Sequence, residues 1–325
     1  MAQNNDKSGG GDGGTKKVVY AAFAANLLIT ISKFIAGFIT GSASLLAEGA
    51  HSIADTVNQV FLLVSLRSAK SKPDRTHPYG YGKDRFFWSL IVAVGLFVAG
   101  AVFSFYEGIS KILEGSGGES ASFLAGYIVL GVAFVFEGAS FVITTREFGK
   151  SAREEERTFR EHFRMTRNTT MKVPLYEDSA ALVGLLIAFA GLLFSQLSGS
   201  HVYDGIASIA IGVVLVFVAY ELGRDSRALL LGEAVPPEDE ERLRETITGF
   251  EEVNDIVRLL TMHLGPESVL VNAEIHVADG MDTDGIEDLI ARITKRIGEQ
   301  LPEVTQTFLE LHPPQEEGQT APKSD

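Results

Sequence analysis

Apolar residues are distributed unevenly along the chain, with long runs in the first two thirds and a polar, periodic pattern from residue 233 onward. Six stretches approach the length of about 20 residues that a helix needs to cross a hydrocarbon core, although several contain polar side chains. We therefore predict an all-α six-helix transmembrane domain. Its helices would cover residues 17–40, 43–66, 86–108, 123–145, 174–196 and 202–222.

The pattern after residue 233 predicts a helix, two strands, a helix and a strand. This order is typical of a small α+β domain with its helices on one face of a sheet. The predicted elements cover residues 238–248, 255–262, 269–277, 284–300 and 304–311.

The domain boundaries follow from these patterns. We expect a transmembrane transport domain at 16–232 and a cytoplasmic domain at 233–313. The remaining segments, 1–15 and 314–325, are predicted to be disordered tails because their polar composition cannot bury a core.

Positively charged residues flank the apolar stretches on alternating sides. The turns at 41–42 and 196–201 contain no Lys or Arg, whereas 67–85 and 146–172 are rich in them. Because short cytoplasmic loops carry the excess of Lys and Arg, both termini are predicted to be cytoplasmic. We expect a plasma membrane, such as a bacterial inner membrane, rather than an organelle.

Overall composition narrows the possible functions. The formal net charge of −14 argues against a nucleic-acid partner. The absence of cysteine excludes disulfides and thiolate metal sites, so a metal would bind through histidine, carboxylate or backbone oxygen. No phosphate-binding Gly-Lys-Ser or Gly-Lys-Thr loop and no nucleophile and base pair in the apolar stretches are present, so we predict neither an enzyme nor a prosthetic group.

The second apolar stretch carries three ionisable residues, Glu48, His51 and Asp55. Their spacing of i, i+3 and i+7 places them in one narrow stripe of a helix, where His51 and Asp55 can hold one ion together. Ionisable groups inside a membrane are costly and usually functional, which favours a metal site with Glu48 as a possible further ligand. The alternative is that the histidine and the acids satisfy each other without a ligand.

Acids also occur in the fourth and fifth stretches. Glu177 and Asp178 are adjacent and diverge by about 100° around a helix, so one would face a shared site and the other would either support the ligands or carry protons. Alternatively, both acids simply favour a helix N-terminus. Glu137 has Lys33 as an available partner, and either a structural ion pair or a proton relay would explain it.

The run from Ser44 to Asp55, Ser-Leu-Leu-Ala-Glu-Gly-Ala-His-Ser-Ile-Ala-Asp, resembles the second-helix signature of the cation diffusion facilitator family. The segment from Asp74 to Lys83 is similar to the family's loop between helices two and three. The resemblance covers residues 16–313 and implies a divalent metal efflux transporter. It also implies a ferredoxin-like cytoplasmic domain that pairs two protomers into a homodimer.

One departure from the family concerns helix five, where the common pattern has a histidine four residues before an aspartate. Here Pro174 precedes Asp178 by four residues, and the Leu-Tyr-Glu-Asp sequence resembles the zinc transporter nine branch. The resemblance implies a primary transport site made of His51, Asp55, Glu177 and Asp178. Zinc is the first expected cargo because histidine and carboxylate ligands suit it, and a single imidazole also admits manganese, iron or cobalt.

The resemblance implies two weaker metal sites. One is the loop site of Asp74 and His77, for which a Pro-Tyr-Gly-Tyr-Gly turn with a solvated histidine is the alternative. The other lies in the cytoplasmic domain, where polar surface residues are the alternative interpretation. Its candidate ligands are His263, Glu274, His276 and His312.

Metal binding requires a neutral His51 and ionised carboxylates, so loading displaces protons and protonation favours release. This coupling predicts exchange of metal for protons. The alternative function is a membrane-anchored metal sensor or scaffold without transport, which would not need aligned acids and a histidine in its second stretch.

Overall fold

The computed structural model describes residues 12–68, 73–114, 123–154, 156–166, 169–266 and 268–313. The chain forms two compact units, one containing most of the apolar helices and the other containing residues 226–313 together with the segment that precedes Trp88. The predicted disordered tails lie outside the described residues, except for 12–15, which form the start of the first helix.

All six predicted stretches are helical, and a seven-residue π-helical segment, Leu96–Val102, interrupts the third one. Four helical runs, 84–113, 123–154, 171–198 and 202–231, are long and apolar enough to cross a membrane by length and composition. The helices are α1 (Asp12–Thr40), α2 (Ala43–Ser68), α3 (Asp84–Gly95), α4 (Phe103–Glu114), α5 (Phe123–Glu154), α6 (Phe159–Met165), α7 (Thr169–Ser198) and α8 (Val202–Leu231).

Several helices extend beyond their predicted ends, and one helix was not predicted at all. Helix α7 begins at Thr169 rather than at residue 174, and Pro174 lies inside it. The hydrogen bond that proline cannot make would reach residue 170, so the loss falls on the first turn of the helix. Helix α6 was not predicted, although Thr158 and Glu161 form a capping box in which the Thr158 amide donates to the Glu161 carboxylate at 3.0 Å.

Glycines allow α4 and α8 to cross at backbone contact. A Cβ atom on Gly205 would lie 2.8 Å from the carbonyl oxygen of Gly108, and one on Gly108 would lie 2.6 Å from that of Gly205. Small residues at such crossings are typical of helix packing in membranes.

Asp204, at the start of α8, caps the N-terminus of α2. Its buried carboxylate accepts hydrogen bonds from the Ser42 hydroxyl at 2.7 Å and the Ala43 amide at 2.6 Å, and from both the amide and the hydroxyl of Ser44. Two of these donors, the amides of Ala43 and Ser44, are backbone groups that a helix start leaves without partners. Asp204 therefore ties α2 to α8 at this end of the helices.

The second unit contains the predicted α+β domain in the predicted element order. Strand β2 is central, antiparallel to β1 and parallel to β3. Alternate β2 residues, including Val271 and Ile275, are buried in one core with α10 residues such as Ile293. The elements are α9 (Pro237–Thr248), β1 (Val253–Gly265), β2 (Ser268–Val277), α10 (Thr283–Gln300) and β3 (Val304–Leu311).

The opposite sheet face is partly apolar and exposed. Leu260 of β1 and Phe308 of β3 pair with the same β2 residue, Asn272, and each is 48% exposed. Since Asn272 lies between the buried Val271 and Ala273, this row lies on the face away from the core.

Candidate metal site in the helical unit

His51 and Asp55 lie one turn apart on α2, with 3.6 Å between His51 Nε2 and Asp55 Oδ2. The His51 side chain is only 1% exposed. Neither of its ring nitrogens has a hydrogen-bond partner within the described protein, and neither does Asp55 Oδ1. A buried polar atom left without a partner costs about 1–3 kcal/mol, so an unmet group of this kind is expected where a ligand binds.

The carboxylate of Asp178 on α7 is hydrogen-bonded to α5. The hydroxyls of Ser140 and Thr144 donate to Asp178 Oδ2 at 3.2 and 2.8 Å. Helix α7 also adjoins α2, because Gly184 of α7 lies against the Glu48 carboxylate of α2. The fold therefore brings together predicted ligands from α2 and α7.

Glu177 is buried, with 8% of its surface exposed. It precedes Asp178 by one residue and points about 100° away around the helix axis. The two acids of α7 therefore point in different directions from the helix axis.

A buried lysine connects three helices beside these residues. Lys33 Nζ of α1 donates to Glu48 Oε2 at 3.0 Å, to Ser52 Oγ at 2.9 Å and to Glu137 Oε1 at 2.7 Å. We call these four residues the Lys33 cluster. The ion pair between Lys33 and Glu137, one of the two interpretations of Glu137, is present.

The second oxygen of each glutamate in the Lys33 cluster has no hydrogen-bond partner among the described residues. Glu48 Oε1 faces α7, because a Cβ atom on Gly184 would lie 2.0 Å from it. Glycine at position 184 therefore makes room for the Glu48 carboxylate.

Among the described residues, no three His, Asp or Glu side chains lie close enough together to hold a metal ion in their present positions. His51, Asp55 and Asp178 are neighbours rather than an assembled tetrahedral set. Metal binding by these residues therefore requires their side chains to move toward one another.

In the loop after α2, Asp74 is the hydrogen-bond acceptor of a turn. Its carboxylate receives the Thr76 hydroxyl and the Tyr81 hydroxyl, each at 2.7 Å, and the backbone amides of Thr76 and His77. These bonds, led by that of the Thr76 hydroxyl, hold the pKa of Asp74 well below its usual range. The geometry favours the turn interpretation of this segment over a metal site.

The structure separates the four candidate ligands of the cytoplasmic domain. His276 Nδ1 lies 3.2 Å from the carbonyl oxygen of His312, whereas Glu274 is bonded to Arg258. His263 pairs with Val269, seven positions from His276 along β2, which corresponds to roughly 23 Å. Only His276 and His312 are therefore close together.

Ser140 and Thr144 are site residues that the sequence analysis does not include. The feature that could have identified them is their spacing from Glu137 on α5, since residues at i, i+3 and i+7 share one helix face.

The cation efflux transmembrane domain matches residues 19–231 of the chain. The chain therefore belongs to the cation diffusion facilitator family, whose members are transporters rather than enzymes. Within this family it belongs to the zinc transporter nine branch. The mitochondrial proton-coupled zinc antiporter SLC30A9 of mouse, and that of human, is 34% identical over 262 residues, which is 81% of this chain and 46% of the relative.

Metal tolerance protein C4 of Arabidopsis thaliana is 33% identical over 261 residues, covering 80% of this chain and 57% of that protein. The chain thus spans about half the length of these relatives. The manganese efflux system protein MneP of Bacillus subtilis is 23% identical over 308 residues, covering 92% of this chain and 96% of the relative.

Proposed function

We propose that this protein exports divalent metal ions, zinc first among them, in exchange for protons. The observation that carries the proposal is the pair formed by the buried His51 and the partly buried Asp55, whose polar atoms His51 Nδ1, His51 Nε2 and Asp55 Oδ1 have no hydrogen-bond partner among the described residues. The similarity to a zinc antiporter and to a manganese efflux protein supports a divalent cation as cargo. Manganese, iron and cobalt are the other cations suited to this donor set.

The proposed transport site consists of His51, Asp55 and Asp178. Glu177 acts as the neighbouring proton carrier, and Glu48 belongs to the Lys33 cluster beside the site. Each metal ligand must lose its proton to bind, so a cation that enters expels protons and a proton that enters expels the cation. Alternating exposure of the site to the two membrane faces then couples the two flows.

The proposed architecture has six membrane-spanning helices, which include α1 and α2, and a ferredoxin-like domain that joins two protomers. The distribution of Lys and Arg supports cytoplasmic termini. We propose the plasma membrane as the location. Fractionation of cells that express the full chain tests this, and recovery of the protein with mitochondria would contradict it.

Zinc flux into sealed vesicles containing the purified full chain, under an imposed pH gradient, tests the proposed function. We expect flux from the wild type and none from Asp55→Ala, because this variant lacks a ligand of the site. Glu147→Gln, which removes an exposed acid of α5, should transport normally.

Near-normal flux in Asp55→Ala would remove Asp55 from the site. A wild-type protein that binds zinc without transporting it would instead favour the membrane-anchored sensor.

A further inference from the structure

We propose that Glu137 of α5 is a further ligand of the transported metal, and that Lys33 is the residue that positions it. This inference rests on the proposed function and adds a third helix to the site. The family pattern assigns ligands to helices two and five, and the helix-five position four residues before Asp178 is Pro174, which has no donor atom.

The face of α5 that carries Glu137 is turned toward the proposed site. Ser140 and Thr144, which share this face, both donate hydrogen bonds to Asp178. Glu137 precedes Ser140 by three residues, or about 4.5 Å along the helix axis. Its partner Lys33 also donates to Ser52, which is adjacent to His51 on α2.

The two oxygens of Glu137 have different surroundings. Oε1 accepts the Lys33 ammonium at 2.7 Å, while Oε2 is buried and has no hydrogen-bond partner among the described residues. Lys33 thus holds the carboxylate by one oxygen and leaves the other available to a cation. The free oxygen of Glu48 is different, because it lies against Gly184 of α7.

His51 provides a second and independent observation. It is 1% exposed, and neither ring nitrogen is hydrogen-bonded within the described chain. Three atoms therefore lack a hydrogen-bond partner and are able to bind a metal ion. They are an imidazole nitrogen of His51, Asp55 Oδ1 and Glu137 Oε2. With Asp178 they form a set of one nitrogen and three oxygen ligands, which is the number that a tetrahedral zinc site requires.

Lys33 also reduces the free-energy cost of burying several carboxylates next to the proposed metal site. Buried carboxylates without compensating charge are strongly unfavourable, and the Lys33 ammonium lies between two of them. A fixed cation at this position keeps Glu137 next to the site before the metal arrives.

Zinc affinity of the full-length Glu137→Gln protein, measured by titration calorimetry in detergent, tests the ligand role. Glutamine keeps the shape of the side chain, can still accept the Lys33 hydrogen bond and leaves Lys33 paired with Glu48. We expect the affinity to fall by at least about tenfold, since even residues that only support a ligand contribute this much. The melting temperature should be unchanged.

Two variants serve as controls. Glu147→Gln removes an exposed acid from the same helix and should bind zinc like the wild type. Glu48→Gln removes the other carboxylate bonded to Lys33, and its loss of affinity should be smaller than that of Glu137→Gln.

A third variant, Lys33→Arg, tests the positioning role. It retains the charge but changes the reach of the donor, so the ratio of zinc to manganese affinity should change while the fold is retained.

Wild-type zinc affinity in Glu137→Gln would overturn the ligand assignment, and equal losses in Glu48→Gln and Glu137→Gln would reduce the Lys33 cluster to a structural role. An unchanged metal ratio in Lys33→Arg would remove its positioning role. If Glu137→Gln does not fold, Glu137→Asp replaces it, and wild-type affinity in that shortened variant would likewise contradict the proposal. None of these results affects the proposed function, which fails separately if the wild type carries no zinc.

Discussion

At the level of single residues, the two neighbouring acids of α7 differ in their contacts. Asp178 is hydrogen-bonded to Ser140 and Thr144 and is a ligand of the proposed site, so we expect Asp178→Asn to lower zinc affinity by at least about tenfold. Glu177→Gln should bind zinc but change the pH dependence of flux, because it removes a proton carrier. Titration calorimetry and vesicle flux at two pH values measure both effects.

Wild-type affinity and wild-type pH response in both α7 variants would place the metal site away from this helix. The reverse result, with Glu177→Gln losing affinity, would exchange the two roles.

Some residues of the candidate site could be predicted from the sequence and others could not. His51 and Asp55 could be found because both lie on one helix at a spacing that aligns them. Lys33 could be named as a partner of Glu137, whereas its further bonds to Glu48 and Ser52 depend on how the helices pack. The position of Glu48 against Gly184 is likewise a result of packing that no local pattern contains.

At the level of elements, the crossing of α4 and α8 depends on glycine. A methyl group on Gly205 would meet both Ile112 and the Gly108 carbonyl at less than 3 Å, so Gly205→Ala should destabilise the protein by about 1–3 kcal/mol through overpacking. Gly131→Ala on α5 is the matched control, because no atom lies within 4 Å of its added methyl group. It should leave stability equal or raise it by up to about 1 kcal/mol.

Thermal unfolding of the two glycine variants in detergent measures the difference. Equal melting temperatures would show that α4 and α8 do not cross as closely as described.

The order of the elements in the α+β domain was predictable because alternation and helical periodicity differ there. Helix α6 and the π-helical segment were not predicted. The π-helical segment adds one residue to a turn, and this cannot be recognised in a stretch that is hydrophobic on all sides. Helix α6 has only seven residues, which is too short to show a helical period.

For the whole molecule, the exposed sheet row of Leu260 and Phe308 is the surface on which we expect the second protomer. Phe308→Asp places a charge in this apolar row and should shift the proposed dimer toward monomer, as light scattering of the full chain in detergent would show. Ala291→Asp adds the same charge to an exposed position of α10 and should leave the dimer intact. A dimeric Phe308→Asp protein would exclude this face as the interface.

Because Asp204 holds the N-terminal end of α2, a tilt of this helix would pivot at that end. Asp55 lies twelve residues from Ala43, so its lever arm is about 18 Å, whereas that of His51 is about 12 Å. A tilt of about 10° around the capped end would carry Asp55 by about 3 Å and His51 by about 2 Å. Because metal–oxygen bonds in zinc sites are only about 2 Å long, a rotation of this size is enough to make or break the grip on a cation.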